Sequence, residues 1–267
     1  MDDIAHSLRR KLLLSRRVCR QSFLSQFTDP RVPIRTTVSA LNRIHPMRYT
    51  DADPCALIEI DPTAVRYICG PVTDALYGRV KGGGWDQGLD LFTEQTTYQS
   101  VKNRFVHGYD WNETEVFVQT MEKVKNGEPV GNYRTESDVL SRFEQLDKTY
   151  ESIKNEGYLT QKELLAQNPT TVHKTNNDAS HPLLNEIGVC IGRDGTFIFR
   201  SRGGHRLAIA RILELDTVPV QVFTRHRQWQ QQRYAIQRSG TAGLAPEISP
   251  AHPDLADTQH NGSGQNE

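Results

Sequence analysis

The sequence contains no run of about eighteen apolar residues, the length that a membrane-spanning helix needs. Its first 21 residues, MDDIAHSLRRKLLLSRRVCRQ, include an apolar run of only three leucines, much shorter than the core of a secretory signal. Hydrophobic residues make up 36% of the chain. We therefore expect a protein with no membrane span and a cytoplasmic location.

Cysteine is scarce, and its spacing fits neither a zinc site nor a disulfide framework, because there is no C-x-x-C pair among Cys19, Cys55, Cys69 and Cys190. Two histidines, His173 and His181, lie in the polar, aperiodic stretch 167–185, which we interpret as a mobile surface loop. Their spacing matches no metal-ligand motif. The sequence therefore predicts buried thiols and no metal site.

The chain has no net charge, because 32 basic residues balance 32 acidic ones. Strong non-specific DNA binding is therefore not expected. The charge is nevertheless polarised along the chain. Residues 1–54 are predicted to form a basic N-terminal helix and a linker. The basic helix could contact nucleic acid or an anionic membrane surface. Alternatively, its leucines could pack on the core of the protein. Residues 239–267 contain no Lys, Arg or aromatic residue and are rich in small polar residues and proline, so they predict a disordered tail.

The central part of the chain favours helices. Residues 55–134 are predicted as a helical region that opens on a strand-like apolar run at 56–60 and a second short run at 65–69, with helices ending at Gly108 and Gly127. The clearest helix follows over 135–156, where apolar residues recur at helical spacing. Thr135 with Asp138 marks its start and Gly157 its end. A second capping box is predicted over the segment TQKE, residues 160–163.

Beyond residue 186 the pattern changes to strands. We predict strands at 187–191 and 196–200, joined by a hairpin turn at Asp194-Gly195. A helix over 204–214 and a strand over 218–223 follow. The segment RSRGGHRLAIA, residues 200–210, places two glycines at the start of that helix.

These parts, in this order, resemble the ParB/sulfiredoxin superfamily. The resemblance rests on a helix with YESIKNEGYLTQKEL, a hairpin with R-D-G, the turn GGHRLAIA, and L-x-x-V-P-V-x-V, and it covers residues 139–226. Ser152, Ile153 and Gly157 match the family's helix end, and Gly203, His205 and Arg206 match its turn. The resemblance implies an α+β fold with a small mixed sheet in a domain at 135–238, preceded by the helical region and followed by the tail.

In that superfamily the turn binds a nucleotide phosphate. The resemblance therefore implies a nucleotide or a phosphorylated small molecule as the ligand, with ATP or CTP and magnesium as the expected cofactors. The binding residues would be Gly203, Gly204, His205 and Arg206, with Arg202 beside them. The physical reason is that a helix N-terminus presents unpaired N–H groups and partial positive charge, while glycine lets a phosphate approach the backbone.

Catalysis is left open by the sequence. Relatives place a cysteine or a glutamate at the position of Gly204, so thiol chemistry and that form of nucleotide hydrolysis are not expected. The candidates for phosphoryl transfer or hydrolysis are His205, Glu156 and Glu186, none of them in a diagnostic motif. The alternative function is a non-catalytic DNA-associated module of the ParB type, which would use a basic stretch formed by Arg225, His226, Arg227, Arg233 and Arg238. A ParB-like nuclease is a third alternative, implied by the family alone.

Overall fold

The computed structural model describes residues 28–69, 77–175, 179–200 and 202–260, with the backbone alone at 173–175 and 259–260. In these residues the protein is α+β. The helices are α1 (Arg31–Ile44), α2 (Thr96–Phe105), α3 (Glu115–Lys125), α4 (Glu136–Glu156), α5 (Gln161–Gln167), α6 (Pro169–Thr175), α7 (Gly204–Ile212), α8 (Arg227–Ser239) and α9 (Ala256–His260). The strands are β1 (Leu57–Ile60), β2 (Tyr67–Ile68), β3 (Arg79–Lys81), β4 (Asp90–Leu91), β5 (Ile187–Ile191), β6 (Phe197–Phe199) and β7 (Val218–His226). None of the helices found there combines the length and the apolar character needed to cross a bilayer.

All the strands belong to one mixed sheet built around β7. On one edge, β7 pairs in parallel with β5, and the order continues through β6 and β2 to β4. Its other edge is shared by two short strands: β1 lies antiparallel to Val218–Gln221, and β3 lies parallel to Thr224–His226. The long central strand thus holds together elements that are far apart in the chain.

β5 and the part of β7 over 218–223 are mainly apolar, and both strands are covered on both faces, as is usual for parallel pairs. Every residue of β5 and β7 is buried. One face packs against Leu207 and Ile209 of α7, while Phe223 on the other face meets Ile34 and Val38 of α1. The predicted strands at 187–191, 196–200 and 218–223 are confirmed as β5, β6 and β7, with ends differing by up to three residues.

The predicted caps of α4 are also confirmed. Thr135 accepts a hydrogen bond from the Asp138 backbone, and the Asp138 side chain accepts one in return from the Thr135 backbone. Gly157 ends the helix at φ 79°, a conformation that favours glycine. The same reciprocal bonds between Thr160 and Glu163 start α5. These local signals place α4 and α5 without any tertiary information.

Residues 55–134, predicted as a helical region, also contribute to the sheet. They supply β1, β2, β3 and β4, which lie in the same sheet as the strands of residues 135–238. β1 and β2 lie within the strand-like runs recognised in the sequence, whereas β3 and β4 are two or three residues long, too short for alternation to be recognised. The boundary expected at residue 134 therefore does not separate two sheets.

The prediction of a disordered tail from residue 239 is wrong for the part that the structure describes. Residues 240–260 form 3-10 turns and α9, and they bury Ile248, Leu255 and the carboxylate of Asp254 against the sheet and α8. Composition did not predict that this segment is ordered, because only a few apolar and ionic contacts hold it in place. The stretch 167–185, expected to be a loop, contains α6 and a 3-10 turn at Pro182–Leu184. The predicted basic helix of residues 1–20 lies outside the described residues, as do residues 261–267.

Candidate anion-binding site

The glycine turn begins α7 in the manner that the sequence predicts. Gly203 is the residue before the helix and has a left-handed backbone, φ 72°, and no side chain among the described residues caps the helix. A Cβ atom on Gly203 would lie 2.9 Å from Ile187 Cγ1 and 3.0 Å from Ile187 Cα. Both the backbone angle and the close packing on β5 therefore require glycine at this position.

A cavity of about 190 Å³ opens at this helix start. It lies between the inner face of α4, the N-terminal part of α5, and the first turn of α7, with α6 at its rim. The two sequence motifs behind the family resemblance meet here. Ser152, Ile153 and Gly157 come from the end of α4, and the segment 203–206 comes from the turn.

The wall of the cavity is basic. Arg142, Lys148 and Arg206 line it, and none of the described lining residues is an Asp or a Glu. No hydrogen bond or ion pair to another described residue engages the Arg142 or Lys148 side chain. Cations without counter-ions at the mouth of a cavity attract anions from solution.

Arg206, in contrast, is held by the protein. One terminal nitrogen, Nη1, donates to the Tyr158 hydroxyl at 3.1 Å, and Nη2 donates to the backbone carbonyl of Asn185. The Nη1 atom also lies 3.8 Å from Glu186 Oε2. Burial raises the pKa of Glu186, and the positive charge of Arg206 opposes this effect. The Arg206 guanidinium is therefore held in a fixed position at the cavity, with the Glu186 carboxyl group close to its charge.

His205 lines the cavity as a neutral ring. Its Nε2 is buried and has no hydrogen-bond partner in the described part of the chain. Burial, followed by repulsion from Arg142 and Arg206, lowers the pKa of His205 to about 3. At neutral pH the imidazole can donate or accept a hydrogen bond, but it adds no positive charge.

The other predicted site residues lie elsewhere. The guanidinium of Arg202 donates to the Tyr77 hydroxyl and to the Leu184 carbonyl, and it packs over the Phe223 ring on the α1 side of the sheet. Glu156 is exposed and does not line the cavity. Glu186 uses Oε1 to accept a hydrogen bond of 2.7 Å from the Gln161 backbone. Glu186 therefore lies beside Arg206, outside the lining residues of the cavity, whereas Arg202 and Glu156 are away from the segment 203–206.

The basic stretch expected to contact nucleic acid is largely buried. Arg225 and His226 are each 3% exposed, and Arg233 is 1% exposed, whereas Arg227 and Arg238 face solvent. The side chains of Arg225 and Arg233 pair with Asp254 instead. These residues do not form a continuous surface for phosphate contacts.

Within the described ranges, no group of three or more His, Cys, Asp or Glu side chains could hold a metal ion. His181 accepts a hydrogen bond at Nδ1 from the Leu183 backbone at the start of the 3-10 turn. The side chain of His173 lies outside the described atoms. Cys55, Cys69 and Cys190 are buried free thiols, in agreement with the sequence prediction.

Arg142 and Lys148 were missed by sequence reasoning. The available signal was a polar stripe on α4, in which Arg142, Gln145, Thr149 and Ser152 follow one another at intervals of three or four residues. This stripe lies beside the apolar stripe that packs on the core. Only the position of α7 shows that the polar stripe faces a cavity.

The described residues define an α+β protein with a mixed sheet and a basic cavity at a helix start. Comparisons of the chain with protein-family models, with curated proteins and with solved structures gave no match.

Proposed function

We propose that the protein binds a phosphate-bearing ligand, either a nucleotide or a smaller phosphorylated molecule, at the start of α7. The observation that carries the proposal is the composition of the cavity. Arg142, Lys148 and Arg206 line the cavity together with the start of α7, and no described carboxylate lines the wall. The two motifs of the ParB/sulfiredoxin resemblance line the same cavity, which supports the proposal independently.

The first turn of α7 suits an anion. An α-helix leaves its first N–H groups without intrahelical acceptors, and its dipole makes this end positive. Gly203 and Gly204 pack closely on Ile187 and Phe199, and both also line the cavity, so an anion there would lie beside the first N–H groups of the helix. Arg142 and Lys148 would then neutralise the charge that enters the cavity.

The proposal concerns binding and not turnover. Phosphoryl transfer needs a positioned base and carboxylate ligands for magnesium, yet Glu156 and Glu186 do not line the cavity. The described lining residues, which include no carboxylate, therefore do not fit a magnesium ion. The chemistry of this wall suits ATP or CTP only as ligands held by their phosphates.

Arg142 is the residue to change, because Arg206 also supports the fold through Tyr158 and Asn185. We expect Arg142→Gln to weaken the binding of inorganic phosphate or ATP by about 1.5–3 kcal/mol, the range for a charge-assisted hydrogen bond. Isothermal titration calorimetry with each ligand measures this loss. Arg238→Gln removes an exposed charge that does not line the cavity and serves as the control.

Two results would overturn the proposal. The first is the absence of binding of phosphate, ATP and CTP to the unaltered protein. The second is an equal loss of affinity in the Arg142 and Arg238 variants, which would indicate a general charge effect and not a site.

A further inference from the structure

We infer that the ligand is a small phosphate monoester carrying hydroxyl groups, of the sugar-phosphate or polyol-phosphate class, and not a nucleotide. The inference rests on the proposed function and names the chemistry of its ligand. Three features of the cavity carry it: its volume, the unused polar groups beyond the basic end, and the scarcity of aromatic surface.

The cavity is small for a nucleotide. The cavity measures about 190 Å³, whereas pockets that enclose a drug-sized ligand usually measure about 300–1,000 Å³. A phosphate with a short hydroxylated chain or one sugar ring fits this space. A nucleotide would place its phosphates inside and leave its base in solvent, where the base would add no affinity.

The unused polar groups point to hydroxyls on the ligand. Ser152 and Gln145 line the cavity on the same side of α4 as Arg142. Their side chains make no hydrogen bond to another residue in the part of the chain that the structure describes. A serine hydroxyl and a carboxamide both donate and accept hydrogen bonds, so they match ligand hydroxyl groups, which also do both.

Aromatic surface for a base is scarce. Proteins commonly hold bases by stacking them on aromatic rings. Apart from the His205 imidazole, Tyr158 is the one aromatic side chain among the described lining residues. Its hydroxyl is tied to Arg206. The other described lining side chains are aliphatic, polar or basic, so none of them offers an aromatic face to a base.

The test compares four probes by isothermal titration calorimetry with the full chain: inorganic phosphate, glycerol 3-phosphate, ribose 5-phosphate and adenosine 5′-monophosphate. We expect glycerol 3-phosphate or ribose 5-phosphate to bind at least tenfold more tightly than both inorganic phosphate and the nucleotide. Ser152→Ala should remove most of this difference in affinity between the hydroxylated phosphates and inorganic phosphate. The affinity for inorganic phosphate itself should change less than twofold. Ser141→Ala, at an exposed position of the same helix that does not line the cavity, is the matched control.

The outcomes separate the two proposals. If phosphate binds but the nucleotide equals or exceeds the hydroxylated monoesters, the ligand class is wrong and the anion site stands. If all the phosphate compounds bind equally, or if the two serine variants behave alike, the inferred hydroxyl contacts are wrong. If none of the four probes binds, both the site and its ligand class are overturned.

Discussion

Arg225 and Asp254 form a buried ion pair that joins the central strand to the C-terminal segment. Arg225 Nε donates to Asp254 Oδ2 at 2.9 Å, and the two side chains are 4% and 2% exposed. Trp229 Nε1 donates to the same oxygen at 2.9 Å, and Arg233 Nη1 lies 3.5 Å from it. Burial alone would raise the pKa of Asp254, but the charges of Arg225 and Arg233 outweigh it and lower the pKa. The carboxylate is therefore charged and stabilises the tail.

Replacing this carboxylate should strongly destabilise the fold. We expect Asp254→Asn to lower the free energy of unfolding by about 3–5 kcal/mol, because it leaves the buried guanidinium of Arg225 without its counter-ion and removes one of the carboxylates paired with Arg233. Urea denaturation measures the change. Asp257→Asn is the matched control, since Asp257 also pairs with Arg233, at 2.8 Å, but is 54% exposed. The Asp257→Asn variant should lose no more than about 1 kcal/mol in the free energy of unfolding. Similar losses in both variants would contradict a structural role for the buried pair.

The glycine turn offers a second prediction. Gly203→Ala combines an unfavourable left-handed backbone with a Cβ atom 2.9 Å from Ile187 Cγ1. We expect a loss of about 2–5 kcal/mol in the free energy of unfolding, from about 1–2 for the backbone angle and about 1–3 for overpacking. Gly127→Ala has a similar φ of 76° and nothing within 4 Å, so it should show the backbone contribution alone. Thermal and urea unfolding of the two variants separate these effects, and equal losses would show that the contact with Ile187 is harmless.

The neutral His205 predicts a loss of stability in mild acid. Its pKa is about 3 in the folded protein, against 6.5 for an unperturbed histidine, so the unfolded chain takes up a proton first as the pH falls. The stability associated with neutral His205 is complete above pH 6.5 and declines towards pH 3. At pH 5 the loss should reach about 1–2 kcal/mol.

His205→Gln tests this linkage, because glutamine cannot take up the proton. We expect the variant to lose less stability than the unaltered protein when the pH is lowered from about 7.5 to about 5, as measured by urea denaturation at both values. His107→Gln, at an exposed position, controls for the loss of one imidazole. Parallel pH profiles for the His205 variant and the unaltered protein would rule out a protonation linkage at this residue.

Local signals were sufficient for the elements that form the site. The caps at Thr135 and Gly157 and the apolar stripe between them define α4, and the glycines before His205 define the start of α7. These features depend on residues close together in the chain, so they can be recognised without the fold. The same reasoning failed for β3 and β4, which are held by pairing with strands distant in the chain.

The sequence alone determined the α+β class, the strands and helix around the glycine turn, and the basic character of that turn, because these follow from periodicity, caps and residue type. The tertiary structure decided which charged side chains an anion in the cavity can reach. It buries Arg225 and Arg233 against Asp254, turns Arg202 to the opposite side of the sheet, and leaves Arg142 at the cavity. The reason is that the availability of a charge depends on its partners and its burial, and both are set by residues far away in the chain.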